Sequence, residues 1–261
     1  MAEFQRKTRY DMEDLLQIME LLRSPDGCPW DRVQTHQSIR RNMLEEAYEA
    51  AEAIDQNDPV HLKEELGDVL LQVVFHASLS QAEGQFTFAD VVDGICQKLV
   101  FRHAHVFGPD RAQDPESALS AWEARKQVEK SQKSVGDTLD AVARALPALT
   151  RAEKLSGKAA KAGFAWPDSA LELDKLSEEL EELKQAVREG SNVEEALGDL
   201  LYAAVVLGRS LGLDSELALH AACEKFIHRF RRMEALADKP LDQLDWSAQL
   251  ALWRQAKQMK T

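Results

Sequence analysis

Residues 44–68 read LEEAYEAAEAIDQNDPVHLKEELGD, nine carboxylates against one lysine in two helical patterns separated by Asn57, Asp58 and Pro59. In the first pattern Leu44, Ala47, Tyr48, Ala51 and Ile54 form an apolar stripe, and Glu46 and Glu49 share another side at i, i+3 spacing. In the second, Val69, Leu70, Leu71, Val73, Val74 and Phe75 surround Glu65, Asp68 and Gln72, which predicts a largely buried helix. Helical periodicity continues along nearly the whole chain, with no convincing run of alternating apolar and polar residues. The fold class is all-α.

The 261 residues, 44% of them hydrophobic, suffice for a sizeable core divided between two domains. No apolar run is long enough to span a bilayer, and the start, MAEFQRKTRYDMEDLL, lacks the apolar core and cleavage site of a signal peptide; a cytoplasmic protein without a membrane partner is expected. Cys28, Cys96 and Cys223 make an odd count without CxxC spacing, so neither a disulfide framework nor a zinc site is indicated, and buried thiols are expected. A net charge of -13 repels phosphate backbones and argues against nucleic acid as a partner; an anionic substrate requires local cations. Absence of GxxxxGK[ST] and GxGxxG argues against P-loop and Rossmann sites.

The chain repeats itself. CPWD around Trp30 recurs as FAWPD around Trp166, LEEAYEAAEAI as KLSEELEELKQAV, EELGDVLLQVV as EALGDLLYAAVV, QKLVFRH as EKFIHRF, and AWEARK as LWRQAK, in the same order. Two tandem helical-bundle domains follow, over residues 1–130 and 146–261, with the polar stretch 131–145 as a linker. Pro and Gly cluster in loops at 24–31, 107–115 and 162–168.

Buried carboxylates are costly unless a cation or metal accompanies them, and two at i, i+3 also repel each other. Two helices that each offer such a pair, joined by a short turn, converge on one spot. Glu46, Glu49, Glu65 and Asp68 thereby make an oxygen-only site suited to Mg²⁺, or Mn²⁺, over zinc, and Mg²⁺ shares its sphere with water and substrate phosphates. Carboxylate bundles that hold iron usually add Glu-x-x-His pairs, and the chain has none. Glu45, Glu52 and Asp55 read as a solvated face.

The pattern EExxE at Glu45-Glu46-Ala47-Tyr48-Glu49, followed by ExxD at Glu65-Leu66-Gly67-Asp68, with GCPWDRVQTHQSI before it and RHAHVFG after it, resembles the MazG family. These are two-domain nucleoside triphosphate pyrophosphohydrolases of the all-α NTP pyrophosphatase superfamily, and the similarity covers nearly the whole chain. The resemblance implies hydrolysis of NTP to NMP and pyrophosphate, with Mg²⁺ on Glu46, Glu49, Glu65 and Asp68. In that reaction Glu45 is a candidate proton acceptor, and Lys98 and Arg102 candidates to grip the polyphosphate. His103 and His105 read as assisting, capping or packing residues; relatives often carry Pro where this chain has Ala104. Trp30, Trp122, Trp166 and Trp253 are candidates to stack on a base, although a tryptophan taken singly is usually core. The resemblance favours Trp253 with Lys257, and Lys225 with Arg229, as nucleotide contacts. It also implies a homodimer.

The second repeat departs from the motif. Glu179, Glu182 and Asp199 match ligands of the first, but Ala196 stands at the position of Glu65, and Gln72 becomes Ala203. Glu195, four residues before Asp199, is a possible substitute. The first site is therefore expected to be catalytic and the second weak, metal-poor or structural. Three readings follow: a metal-dependent pyrophosphohydrolase, which the intact first constellation favours, a nucleotide-sensing module with little turnover, and a helical scaffold.

Overall fold

The computed structural model describes residues 4–109, 111–129 and 134–259. All regular structure among these residues is helical. The chain divides into two compact units, Met1–Lys126 and Gln127–Thr261.

The first unit carries α1 (Met12–Arg23), α2 (Pro29–Arg32), α3 (Arg40–Asp55), α4 (Pro59–Ala82), α5 (Phe88–Arg102), α6 (Ala104–Phe107) and the greater part of α7 (Pro115–Glu129). Side chains fix the starts. Asp11 and Asp14 form a capping box on α1, Thr87 and Asp90 another on α5, and the Asp58 carboxylate accepts from the Val60 and His61 amides ahead of α4, with Pro59 as its first residue. The turn between α3 and α4 is closed by Asn57 in the left-handed region (φ 54°), a conformation asparagine tolerates.

The helices α3 and α4 pack along their length, and Ala50 and Ala53 sit buried in the seam, where small side chains let the backbones approach. Farther along α4, Val74, Phe75 and Leu79 join Met19 and Ile39 in the core, ringed by Leu15, Leu16, Leu70, Leu71 and Phe88. Arg23 donates to Ser78 Oγ at 2.9 Å and lies over the Phe75 ring, fastening α1 to α4.

The second unit holds α8 (Val135–Asp140), α9 (Ala148–Lys161), α10 (Ser169–Glu189), α11 (Val193–Ser210), α12 (Ser215–Leu236), a 3₁₀ turn (Leu241–Gln243) and α13 (Trp246–Gln258). The pair α10 and α11 repeats α3 and α4, and its turn again uses left-handed backbone, at Gly190 and Asn192. The helix α9 packs on α11 and α12, and α12 on α13.

Two features differ from the sequence expectation. The stretch read as a linker contains α8, capped by a Ser134–Asp137 box and packed on α9; residues 131–133 of it lie outside the described residues. Capping side chains and contact with α9 supply what its polar composition hides. The thiols are free, with Cys96 and Cys223 exposed and Cys28 half-buried. Cys96 stands on a face of α5 that also exposes Ile95, Leu99 and Val100, so apolar neighbours in sequence did not mean a covered surface. The apolar stripe of α3 is likewise uncovered, with Tyr48 58% and Ile54 61% exposed. No single helix among the described residues is long and apolar enough to cross a membrane.

Candidate metal centre

The α3–α4 seam decides where the acids meet. Because the two helices run back from one tight turn, the second and third turns of α3 face the second and third turns of α4, and acids spaced i, i+3 on each are brought opposite one another. Glu46, Glu49 and Glu65 each offer a carboxylate oxygen, and these oxygens lie within 4.8 Å of one another. Glu65 is 8% exposed, Glu46 and Asp68 are half-buried, and Glu49 faces outward. Burial foremost, then the neighbouring charges of Asp68, Glu49 and Glu65, hold the Glu46 carboxyl above the usual carboxylate range. Like charges gathered in this way call for a cation. The donor set is oxygen throughout, which fits a hard divalent ion.

Two further groups attend the cluster. His61 Nε2 lies 2.9 Å from Glu65, one helical turn earlier on α4. Gln72, one turn beyond Asp68, is buried, and its Oε1 finds no hydrogen-bond partner within the protein. Beyond it, His76 Nδ1 lies 2.7 Å from His36 Nδ1 with the rings parallel, and His36 Nε2 is 3.2 Å from Ser80 Oγ. Burial foremost, and then His36, push the His76 imidazole below its usual value. His61 was legible at i, i+4 spacing from Glu65, whereas His36 and His76 lie 40 residues apart and meet only through the packing of α4 against the segment before α3.

The remaining sequence candidates lie outside the cluster. Glu45 is outside the cluster, exposed and paired with Arg41 at 2.7 Å. On α5, Lys98 is exposed, while Arg102 is buried with its guanidinium over the Trp122 ring, which also carries Lys126 at 4.7 Å. The recurring Trp–Lys tail of the first unit is thus a cation–π pair. His103 terminates α5, its Nδ1 2.7 Å from the Leu99 carbonyl, and stands 5.6 Å ring to ring from His105. Trp30 is exposed on α2. Lys225 and Arg229 on α12 and Trp253 and Lys257 on α13 occupy two packed helices, and Trp253 contacts Phe226 at 5.3 Å.

The second acidic set does not gather in the same way. Glu182, Glu195 and Asp199 are exposed and line one open cavity of about 310 Å³, whereas Glu179 is buried and held by Lys175 at 2.8 Å. Among the described residues, Glu46, Glu49 and Glu65 form the one group of three potential ligands drawn so close.

The profile of the MazG nucleotide pyrophosphohydrolase domain matches residues 34–107 and again 169–233, segments that contain the α3–α4 and α10–α11 pairs. The chain is 42% identical to the nucleoside triphosphate pyrophosphohydrolase/pyrophosphatase MazG of Thermotoga maritima over 253 residues, covering 94% of this chain and 95% of that protein. It is also 42% identical to the nucleoside triphosphate pyrophosphohydrolase of Escherichia coli K12, across 95% of this chain and 98% of the relative. A Mycobacterium tuberculosis protein of the same name is 41% identical over 58% of this chain and 45% of its own length.

Proposed function

The chain belongs to the MazG nucleotide pyrophosphohydrolase family, and from that premise we propose that it is a Mg²⁺-dependent enzyme converting nucleoside triphosphate and water to nucleoside monophosphate and pyrophosphate, with the first unit as its active site. The observation that carries the reading is the convergence of Glu46, Glu49 and Glu65 across the α3–α4 seam, with Asp68 beside them. The relatives named above carry this activity in their names. A cytoplasmic role in clearing the nucleotide pool accords with the reaction.

Glu46, Glu49, Glu65 and Asp68 would hold the ion, and Mn²⁺ suits the same donors. When bound, the metal polarises phosphate oxygens and makes a coordinated water more acidic. The protein's own groups then have separate tasks. His61 orients the Glu65 carboxylate through its 2.9 Å contact. Glu45, next to Glu46 on α3 and outside the ligand set, is assigned to accept the water's proton, which requires its ion pair with Arg41 to yield. Lys98, with Arg102 one turn away, offers positive charge for departing pyrophosphate. Trp30 is an exposed ring suited to stacking on a base. Lys225, Arg229, Trp253 and Lys257 form a nucleotide-contacting surface of the second unit, and that unit's Glu179, Glu182 and Asp199 do not complete a catalytic metal site.

A homodimer completes the uncovered faces. Tyr48 and Ile54, exposed on the metal-bearing helix, support association through α3.

The reading is tested by incubating the protein with a panel of NTPs and Mg²⁺ and resolving the products. NMP with equimolar pyrophosphate, abolished by chelator, is expected. Release of NDP and phosphate, or turnover that survives the chelator, would overturn it, and nucleotide binding with no turnover would instead favour the sensing module.

A further inference from the structure

The second unit keeps three acids of the motif, yet the α10–α11 seam differs from α3–α4 in two ways that act together. Ala196 stands where α4 supplies Glu65. On α10, four residues before Glu179, stands Lys175; the first unit has Asn42 at the corresponding position, four before Glu46. Lys175 Nζ donates to Glu179 at 2.8 Å and to Glu178 at 2.9 Å.

Glu179 is 7% exposed, and it is the counterpart of Glu46, the carboxylate that carries the electrostatic burden of the first cluster. A buried carboxylate needs a cation. In the first unit no lysine lies one turn away on the helix to provide one; in the second, Lys175 does so through the i, i+4 relation. An ammonium group already bonded to that oxygen repels a divalent ion approaching the same carboxylate. Glu182, Glu195 and Asp199 line an open cavity, and among the described residues they form no close group of three ligand atoms with Glu179. The polar row of α4 is erased as well, since Gln72, His76 and Ser80 correspond to Ala203 and Leu207 on α11 and to Leu211 just beyond its end.

We propose that Lys175 is the built-in cation of the second unit, taking the place that a divalent metal occupies in the first, so that the α10–α11 seam binds no catalytic metal. The inference rests on the first unit being the metal site. It assigns the duplicated unit a metal-free architecture in which one ligand has been lost and one permanent positive charge gained, and it predicts that reversing both changes recreates a metal site.

The test is Mn²⁺ titration of the full-length, metal-stripped protein, followed by loss of the free-ion EPR signal, with far-UV circular dichroism to confirm folding. Asp68→Asn is expected to lose tight Mn²⁺ binding and Asp199→Asn to keep all of it, while the double variant Lys175→Asn/Ala196→Glu binds about twice as much Mn²⁺ as the parent. Tight binding that persists in Asp68→Asn and disappears in Asp199→Asn would overturn the proposal, whether or not the double variant folds. So would a folded double variant that binds no more Mn²⁺ than the parent. Absence of binding in the parent itself would overturn the first-unit metal reading and this inference with it, leaving pyrophosphohydrolase activity to be judged by its products.

Discussion

Glu46 is surrounded by Asp68, Glu49 and Glu65, and burial with these neighbours holds its carboxyl above the ordinary range. A carboxyl whose folded pKa is raised holds its proton in the native state longer than in the unfolded chain, so stability falls as pH rises from the ordinary carboxylate pKa through the raised one. At neutral pH the metal-free protein therefore carries a destabilising charge that a bound cation relieves. Glu46→Gln is expected to raise the melting temperature at pH 7 in EDTA, to lose that advantage below the ordinary carboxylate pKa, and to abolish the stabilisation that Mg²⁺ gives the parent. A variant melting below the parent in EDTA at pH 7 would contradict this. The cluster was legible in the sequence, because paired i, i+3 acids amid apolar residues have few other uses. Lys175 was equally legible at i, i+4 from Glu179. The His36–His76 pair was not, since it arises from tertiary packing alone. Removing a ligand outright, as in Glu65→Gln, is expected to lower turnover on the order of 100-fold or more, as loss of a strong transition-state electrostatic contact does.

The α3–α4 hairpin is the element that makes these residues a site. Its turn depends on Asn57 at φ 54°. Asn57→Gly should be nearly neutral, and Asn57→Val should cost about 1–2 kcal/mol because a β-branched residue resists left-handed backbone; equal denaturation midpoints for the two variants would refute the assignment. Ala53, at 0% exposure, sets how closely the helices approach. Ala53→Leu is expected to destabilise by about 1–3 kcal/mol through overpacking and to weaken Mn²⁺ binding by spreading the carboxylates, whereas unchanged binding in a folded variant would separate the seam from the site. Sequence periodicity located both helices. It assigned the Leu44–Tyr48–Ile54 stripe no particular partner, and within the chain that stripe stays uncovered while Ala50 and Ala53 are buried. An apolar stripe records that something covers it, without saying whether the cover belongs to the same chain.

For the whole molecule, the duplication was plain in the sequence, and so was its asymmetry at Ala196. What the repeat alignment could not convey is how closely the acids of the first unit gather, because that depends on side chains meeting across the α3–α4 seam. For the proposed dimer through α3, light scattering is expected to give twice the 29.3 kDa chain mass, and a Tyr48→Glu/Ile54→Glu variant to approach the single-chain mass; a monomeric parent at working concentration would count against it. The division of labour between the units is the central claim, and it is tested most directly by measuring pyrophosphate release from NTP by Asp68→Asn and Asp199→Asn side by side. The account predicts that Asp68→Asn loses the activity and Asp199→Asn retains most of it. The opposite result, loss only in Asp199→Asn, would place the chemistry in the second unit despite Ala196 and Lys175, and would contradict the account.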